Sequence, residues 1–121
     1  MDMKIELVII PVTDVDRAKD FYVKAGFNPD HDQTVNEDLR FVQLTPVGSA
    51  CSIAIGKGIT EAVPGSVTGM QMVVTDIDAT HADLVARGVP VTEVEDLAWG
   101  SFVYFRDPDG NGWAIQQITP R

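Results

Sequence analysis

Val12-Thr13-Asp14-Val15-Asp16 returns 62 residues later as Val74-Thr75-Asp76-Ile77-Asp78, with four identities and one conservative exchange. The register then holds without an insertion. Val23 falls on Val85 and Gly26 on Gly88, and further along Pro46 and Gly48 fall on Pro108 and Gly110. A chance match would not stay in phase across separate landmarks, so the chain reads as two copies of one unit of about 60 residues, a pair rather than an open array.

Periodicity changes in the same order within each copy. Lys4 to Pro11 is an apolar, partly β-branched run of strand length ended by a proline. Asp14 stands where a helix N-cap belongs, Val15, Ala18, Phe21, Tyr22 and Ala25 follow at helical spacing, and Gly26 supplies the stop. Phe27 to Asp32, Leu39 to Thr45 and Ala50 to Gly56 read as three further strands, the last two joined through Pro46-Val47-Gly48. The second copy predicts strand Met70 to Thr75, helix Ile77 to Arg87, then strands Val89 to Val94, Phe102 to Arg106 and Gly112 to Ile118. Asn28 to Asn36 and Gly56 to Thr68 are the sizeable irregular stretches. The expected class is α+β, two tandem βαβββ modules over residues 1–58 and 69–121 with a linker over 59–68, together one structural domain.

At 121 residues with 45% hydrophobic residues, the chain can bury a core, whereas a half of 60 residues alone would be marginal. A net charge of -9 and nine scattered basic residues argue against a nucleic-acid partner, which needs lysines and arginines gathered on phosphates. No apolar run reaches the roughly 18 residues of a membrane span. The opening Met1-Asp2-Met3-Lys4 lacks the basic stretch and apolar core of a secretory signal, so a cytoplasmic protein is expected. The single cysteine, Cys51, excludes an internal disulfide and alternates with Ile53 and Ile55, which predicts a buried structural thiol.

Val12-Thr13-Asp14-Val15-Asp16-Arg17-Ala18 with Phe21-Tyr22 and Gly26-Phe27, together with Phe105-Arg106-Asp107-Pro108-Asp109-Gly110-Asn111 before the last strand, resembles the vicinal oxygen chelate superfamily. That group includes glyoxalase I, extradiol dioxygenases, and fosfomycin and bleomycin resistance proteins. The resemblance covers nearly the whole chain. It implies that the strands of the two modules form a cup-shaped, barrel-like mixed sheet with the helices outside and a ligand inside.

The resemblance also implies a divalent metal held by His on each first strand and Glu on each last strand. Counted from Val12 and Asp14, and from Asp107 of the turn, those positions are Leu7, Ser52, Gly69 and Ala114. None supplies the imidazole, carboxylate or thiolate that Zn, Fe, Mn or Ni needs, so no metal and no cofactor is expected. Glu6 lies one residue away, which in a strand is the opposite face. His81 sits on the predicted second helix, whereas His31, between Asp30 and Asp32, lies nearer the expected cup mouth.

With those four positions facing inward, alternation places Leu7, Ile9, Ser52, Gln71, Ala114 and Gln116 in the cup, and puts Ile53, Ile55, Trp113 and Ile115 against the helices. Such a lining suits a mostly apolar organic ligand oriented by neutral hydrogen bonds from Gln43, Ser52, Gln71 and Gln116. Phe41, Tyr104 and Trp99 are candidates to stack on it, and Arg40 to bind an anionic group. Two functions follow. One is a metal-free protein of the bleomycin resistance type, binding a small, antibiotic-like and cationic molecule in the cup or in a homodimer crevice. The alternative is a metal-independent isomerase, cyclase or lyase in which Glu6, His31 or Tyr104 moves a proton. A metal-dependent glyoxalase or dioxygenase fits the four positions least.

Overall fold

Asp14 and Asp76 cap the two helices in the same way. In a computed structural model describing residues 1–118, Asp14 Oδ1 accepts from Arg17 N at 3.0 Å and Asp76 Oδ1 from Ala79 N at 3.0 Å. Each such bond satisfies an otherwise orphaned helical donor, worth about 1 kcal/mol. Helix α1 then runs Val15–Lys24 and α2 runs Ile77–Ala86. Gly26 and Gly88, at φ 105 and 76, turn the chain out of each helix in a conformation that side chains with a Cβ avoid.

Around α1 lie β1 (Leu7–Ile9), β2 (Phe27–Asn36), β3 (Leu39–Pro46) and β4 (Ser52–Lys57), in spatial order β1-β4-β3-β2. Around α2 lie β5 (Met70–Val74), β6 (Glu95–Leu97), β7 (Gly100–Arg106) and β8 (Gly112–Gln117), in the order β5-β8-β7-β6. First and last strands pair in parallel and the others antiparallel, so βαβββ occurs twice and each sheet is mixed. The sheets are cup-like and do not close into a barrel.

Several boundaries differ from the sequence expectation. β2 extends through most of the stretch read as irregular, because two register shifts, at Pro29/His31 and Thr34/Asn36, let a polar edge strand stay paired with β3. Val89 to Val94 is not a strand, and pairing begins at Glu95. Pro90 has no N–H to offer a ladder, and the contact to β7 is made instead by Thr92, whose N–H donates to Tyr104 O while its Oγ1 accepts from Tyr104 N. β1 is only three residues long. Cys51 precedes β4 rather than alternating within it, and is half-buried, not buried as expected.

The bulky faces of both sheets meet the helices in one core that includes Tyr22, Val42, Leu44 and Ile55 of the first module and Leu84, Val103, Trp113 and Ile115 of the second. Trp113 lies edge-on to Phe27 at 5.5 Å and stacks on Phe105 at 5.9 Å. The Asp107–Asn111 turn, legible in sequence only as a reversal, is a buried polar node joining the modules. Asp107 accepts from Tyr22 Oη, Asn111 Nδ2 and the backbone N–H groups of Asp109 and Asn111. Asn111 Nδ2 also donates to Pro11 O at 2.8 Å, its Oδ1 accepts from Val67 N, and Asp109 accepts from the N–H and hydroxyl of Thr13. Burial and the Asp107 carboxylate push the Tyr22 phenol far above its ordinary range, so it stays a donor to Asp107 while accepting from Trp113 Nε1 at 3.0 Å.

Arg40 lies off the face expected to line the cup and is engaged by carboxylates of this chain. It follows β3 on the Val42 side, toward α1, where its guanidinium clasps both oxygens of Asp32 and reaches Asp16, and Lys19 joins Asp32 at 2.8 Å. Hydrogen bonds from Arg40 and then Lys19 hold the Asp32 carboxyl well below the usual carboxylate range. A depressed folded-state pKa stabilises above the unfolded value and is lost as pH falls through the folded one. Asp32→Asn is therefore expected to lower stability at pH 7 by no more than about 1 kcal/mol, since the pair is partly exposed and screened. The difference from the parent should shrink progressively below about pH 4, as urea titrations at pH 7 and pH 3 would report.

Candidate functional site

Strand register fixes which side chains share the face turned away from the helices. On the first sheet Leu7 is level with Ser52, Ile9 with Ala54, Gln43 with Ala54, and Phe41 with Gly56. His31, level with Gln43, shares this face at the exposed edge strand. On the second sheet Gln71 is level with Ala114, Val73 and Phe102 with Gln116, and Tyr104 with Ala114. The structure thus gathers Leu7, Ile9, Phe41, Gln43 and Ser52 on one cup face and Gln71, Tyr104 and Gln116 on the other. Arg40 is placed elsewhere.

Each face carries a chain of hydrogen bonds. On the first, Gln43 Nε2 lies 3.2 Å from Ser52 Oγ, Ser52 Oγ lies 2.6 Å from Thr45 Oγ1, and Thr45 Oγ1 bonds to the Asp30 carboxylate. Ser52 is 5% exposed, and its buried hydroxyl is satisfied by these partners. On the second, Gln71 Nε2 donates to Gln116 Oε1 at 2.6 Å and Gln116 Nε2 to Trp99 O at 2.8 Å. Gly100 makes that approach possible: a Cβ there would lie 2.8 Å from Gln116 Nε2.

Tyr104 stacks at 6.0 Å on the buried ring of Phe102, with the rings 4° from parallel. Beside them is a groove of about 600 Å³ between β7, β8 and the Pro90–Thr92 segment, lined by Tyr104, Arg106, Gly112, Ala114 and Thr92. That size lies within the usual range for small-molecule sites. Trp99 sits in the two-residue turn between β6 and β7 and is 65% exposed. Phe102, Thr45 and Asp30 were not singled out from sequence. Phe102 has the parity of Tyr104 and Thr45 that of Gln43, so alternation held the signal for both. Asp30 enters at a register shift that alternation does not anticipate.

The positions that the resemblance assigns to a metal are Leu7 and Ser52, level with each other across β1 and β4, Gly69 just before β5, and Ala114 beside Gln71. Together they provide one hydroxyl, and that hydroxyl is engaged by Thr45 and Gln43. This donor set does not fit a transition metal. Glu6 precedes β1 and is exposed, its carbonyl accepting from Ser52 N. His81, on α2, lies 3.9 Å from Glu93 on the helix side. Among the described residues no three His, Cys, Asp or Glu side chains are grouped to hold a metal, and no helix is long and apolar enough to cross a membrane.

The sequence model of the Glyoxalase/Bleomycin resistance protein/Dioxygenase superfamily matches residues 4–115. Among solved structures, the chain is similar to TnmS3, an antibiotic binding protein from Streptomyces sp. CB03234, with 34% identity, 98% of each chain covered and a TM-score of 0.86. It is also similar to a glyoxalase/bleomycin resistance protein from the same Streptomyces strain, at 36% identity over 94% of this chain and 100% of that one, with a TM-score of 0.81. YetH of Bacillus subtilis (strain 168) is 26% identical over 120 residues, covering 97% of this chain and all of YetH.

Proposed function

Because the chain belongs to the Glyoxalase/Bleomycin resistance protein/Dioxygenase superfamily, we propose that it is a member that binds and sequesters a small, antibiotic-like organic molecule without a metal. The observation that carries this reading is the content of the cup: the positions a metal would need hold Leu7, Ser52, Gly69 and Ala114, with Ser52 spent on neutral hydrogen bonds. The Tyr104 ring, backed by buried Phe102 and lining a groove of about 600 Å³, suits a planar, largely apolar ligand. A net charge of -9 favours a cationic one. The likeness to an antibiotic binding protein at 34% identity points the same way.

The site is proposed to be completed by a second copy, giving a homodimer with the ligand in the crevice. β1 and β5 each form one edge of their sheet, and Ile5, Ile9 and Val73 on or beside them are exposed. Such apolar edges are what a second chain would cover.

The test is a thermal-shift screen of the purified protein against bleomycin and planar aromatic antibiotics, with the recovered ligand analysed by mass spectrometry. A ligand at a hundredfold excess over its Kd contributes about 2.7 kcal/mol, so a rise in Tm of several degrees is expected, with the ligand returned unchanged. A chemically altered product would instead favour a metal-independent enzyme, with Glu6, His31 and Tyr104 as the groups to replace. Formation of lactoylglutathione from methylglyoxal and glutathione, dependent on stoichiometric Zn, Ni or Fe, would refute the metal-free reading.

A further inference from the structure

Counting protons along the two hydrogen-bond chains fixes the direction of each. As a carboxylate, Asp30 can only accept, so the single hydroxyl proton of Thr45 is spent on it. The 2.6 Å contact between Thr45 Oγ1 and Ser52 Oγ must then use the proton of Ser52. Ser52, its own proton committed, can only accept from Gln43, which turns one Nε2 N–H toward it and leaves Oε1, beside the second N–H, as the uncommitted acceptor of the chain. The opposite amide orientation would leave one oxygen–oxygen contact in the chain without a proton.

The second chain runs the same way from a different anchor. Trp99 O, a backbone carbonyl, can only accept, so Gln116 turns its Nε2 toward it at 2.8 Å. Gln116 Oε1 then accepts from Gln71 Nε2 at 2.6 Å, and the chain ends on Gln71 Oε1. Gln43 belongs to the third strand of its module and Gln71 to the first strand of the other, so the internal repeat does not impose this shared polarity. Two acceptor-only anchors have each left an amide carbonyl uncommitted at the far end of the chain, on residues that share the cup faces.

We infer that Gln43 and Gln71 select for ligands carrying N–H or O–H donors, such as a phenol, an amide N–H or a protonated amine, with Thr45 and Ser52 as positioning residues that hold the Gln43 amide in its orientation. The inference rests on the binding reading above. A ligand that buries either carbonyl without donating to it leaves the oxygen unsatisfied, a penalty that corresponds to about a tenfold loss of affinity. Charge alone does not produce this preference, because a quaternary ammonium keeps its charge and has no donor.

The experiment uses ¹⁵N-labelled full-length protein and two matched probe pairs: 2-naphthol with 2-methoxynaphthalene, and benzylammonium with benzyltrimethylammonium. In the ligand-free protein, the Gln43 side-chain amide protons should show NOEs to Ser52. On titration, the donor of each pair should bind about tenfold tighter than its methylated partner and shift the Gln43 and Gln71 side-chain amide signals. Thr45→Val, nearly isosteric, frees the Ser52 proton to point at Gln43. The NOEs should then weaken and the preference read at Gln43 fall to within about twofold, while that at Gln71 is unchanged. Absence of the NOEs in the parent protein, or equal binding within each pair, would overturn this inference alone. Silence of all four probes at the cup, with the NOEs present, would remove the binding reading and this inference with it.

Discussion

Asn111→Ala is expected to destabilise the protein by about 3 kcal/mol or more. The side chain is fully buried, and its removal strands three partners at once. Pro11 O loses its donor, Val67 N loses its acceptor, and Asp107 loses one of the four donors that solvate a carboxylate buried to 5% exposure. Each buried group left unpaired costs about 1–3 kcal/mol, and a charged one more. Urea denaturation at neutral pH measures the loss. Because Trp113 is bonded to Tyr22, which donates to Asp107, its near-ultraviolet dichroism should change even in the folded variant. A loss below about 1 kcal/mol would mean that the node is a surface turn and does not bind the modules together.

Tyr104→Ala is expected to weaken binding of whichever antibiotic raises Tm by about ten- to thirtyfold, with stability little changed. The ring forms half of the stacked pair with Phe102 and lines the groove, and burying a large aromatic on a ligand commonly accounts for 1–2 kcal/mol or more. The Thr92 segment is held by the backbone N–H and carbonyl of Tyr104, not by its side chain. Truncation therefore empties the groove wall without releasing the chain beside it. Calorimetric titration with parent, Tyr104→Ala and Tyr104→Phe separates these roles: the phenylalanine variant should retain most of the affinity, and prior dialysis against a chelator should leave all three isotherms unchanged. Dependence of parent binding on added metal would contradict the proposed function.

Helix caps, helix stops and the inward or outward parity of the long strands were open to reading because each depends on neighbours in sequence. Asp14 and Asp76 cap where their spacing says, and Ile53, Ile55, Trp113 and Ile115 enter the core as alternation requires. β2 was hard to read for the converse reason. An edge strand exposed on nearly all residues shows no apolar alternation, and its register shifts are visible only against β3. An isolated base on a strand reads as a ligand group, whereas the partners of Arg40, Asp16 and Asp32, come from a helix and another strand. The Asp107–Asn111 node had a recognisable turn sequence, yet its bonds reach Pro11 and Tyr22, 100 and 85 residues away. No local pattern carries that information.

That separation sets an order of events during synthesis. Tyr22 belongs to the first helix, but the carboxylate that accepts its hydrogen bond is made 85 residues later, and at about 5–20 residues per second the interval is roughly 4–17 s. Throughout it, the aromatic face of the first module waits without Trp113 to cover it. The growing chain is exposed to aggregation in this window, which closes only once the Asp107–Asn111 turn and Trp113 behind it have been made.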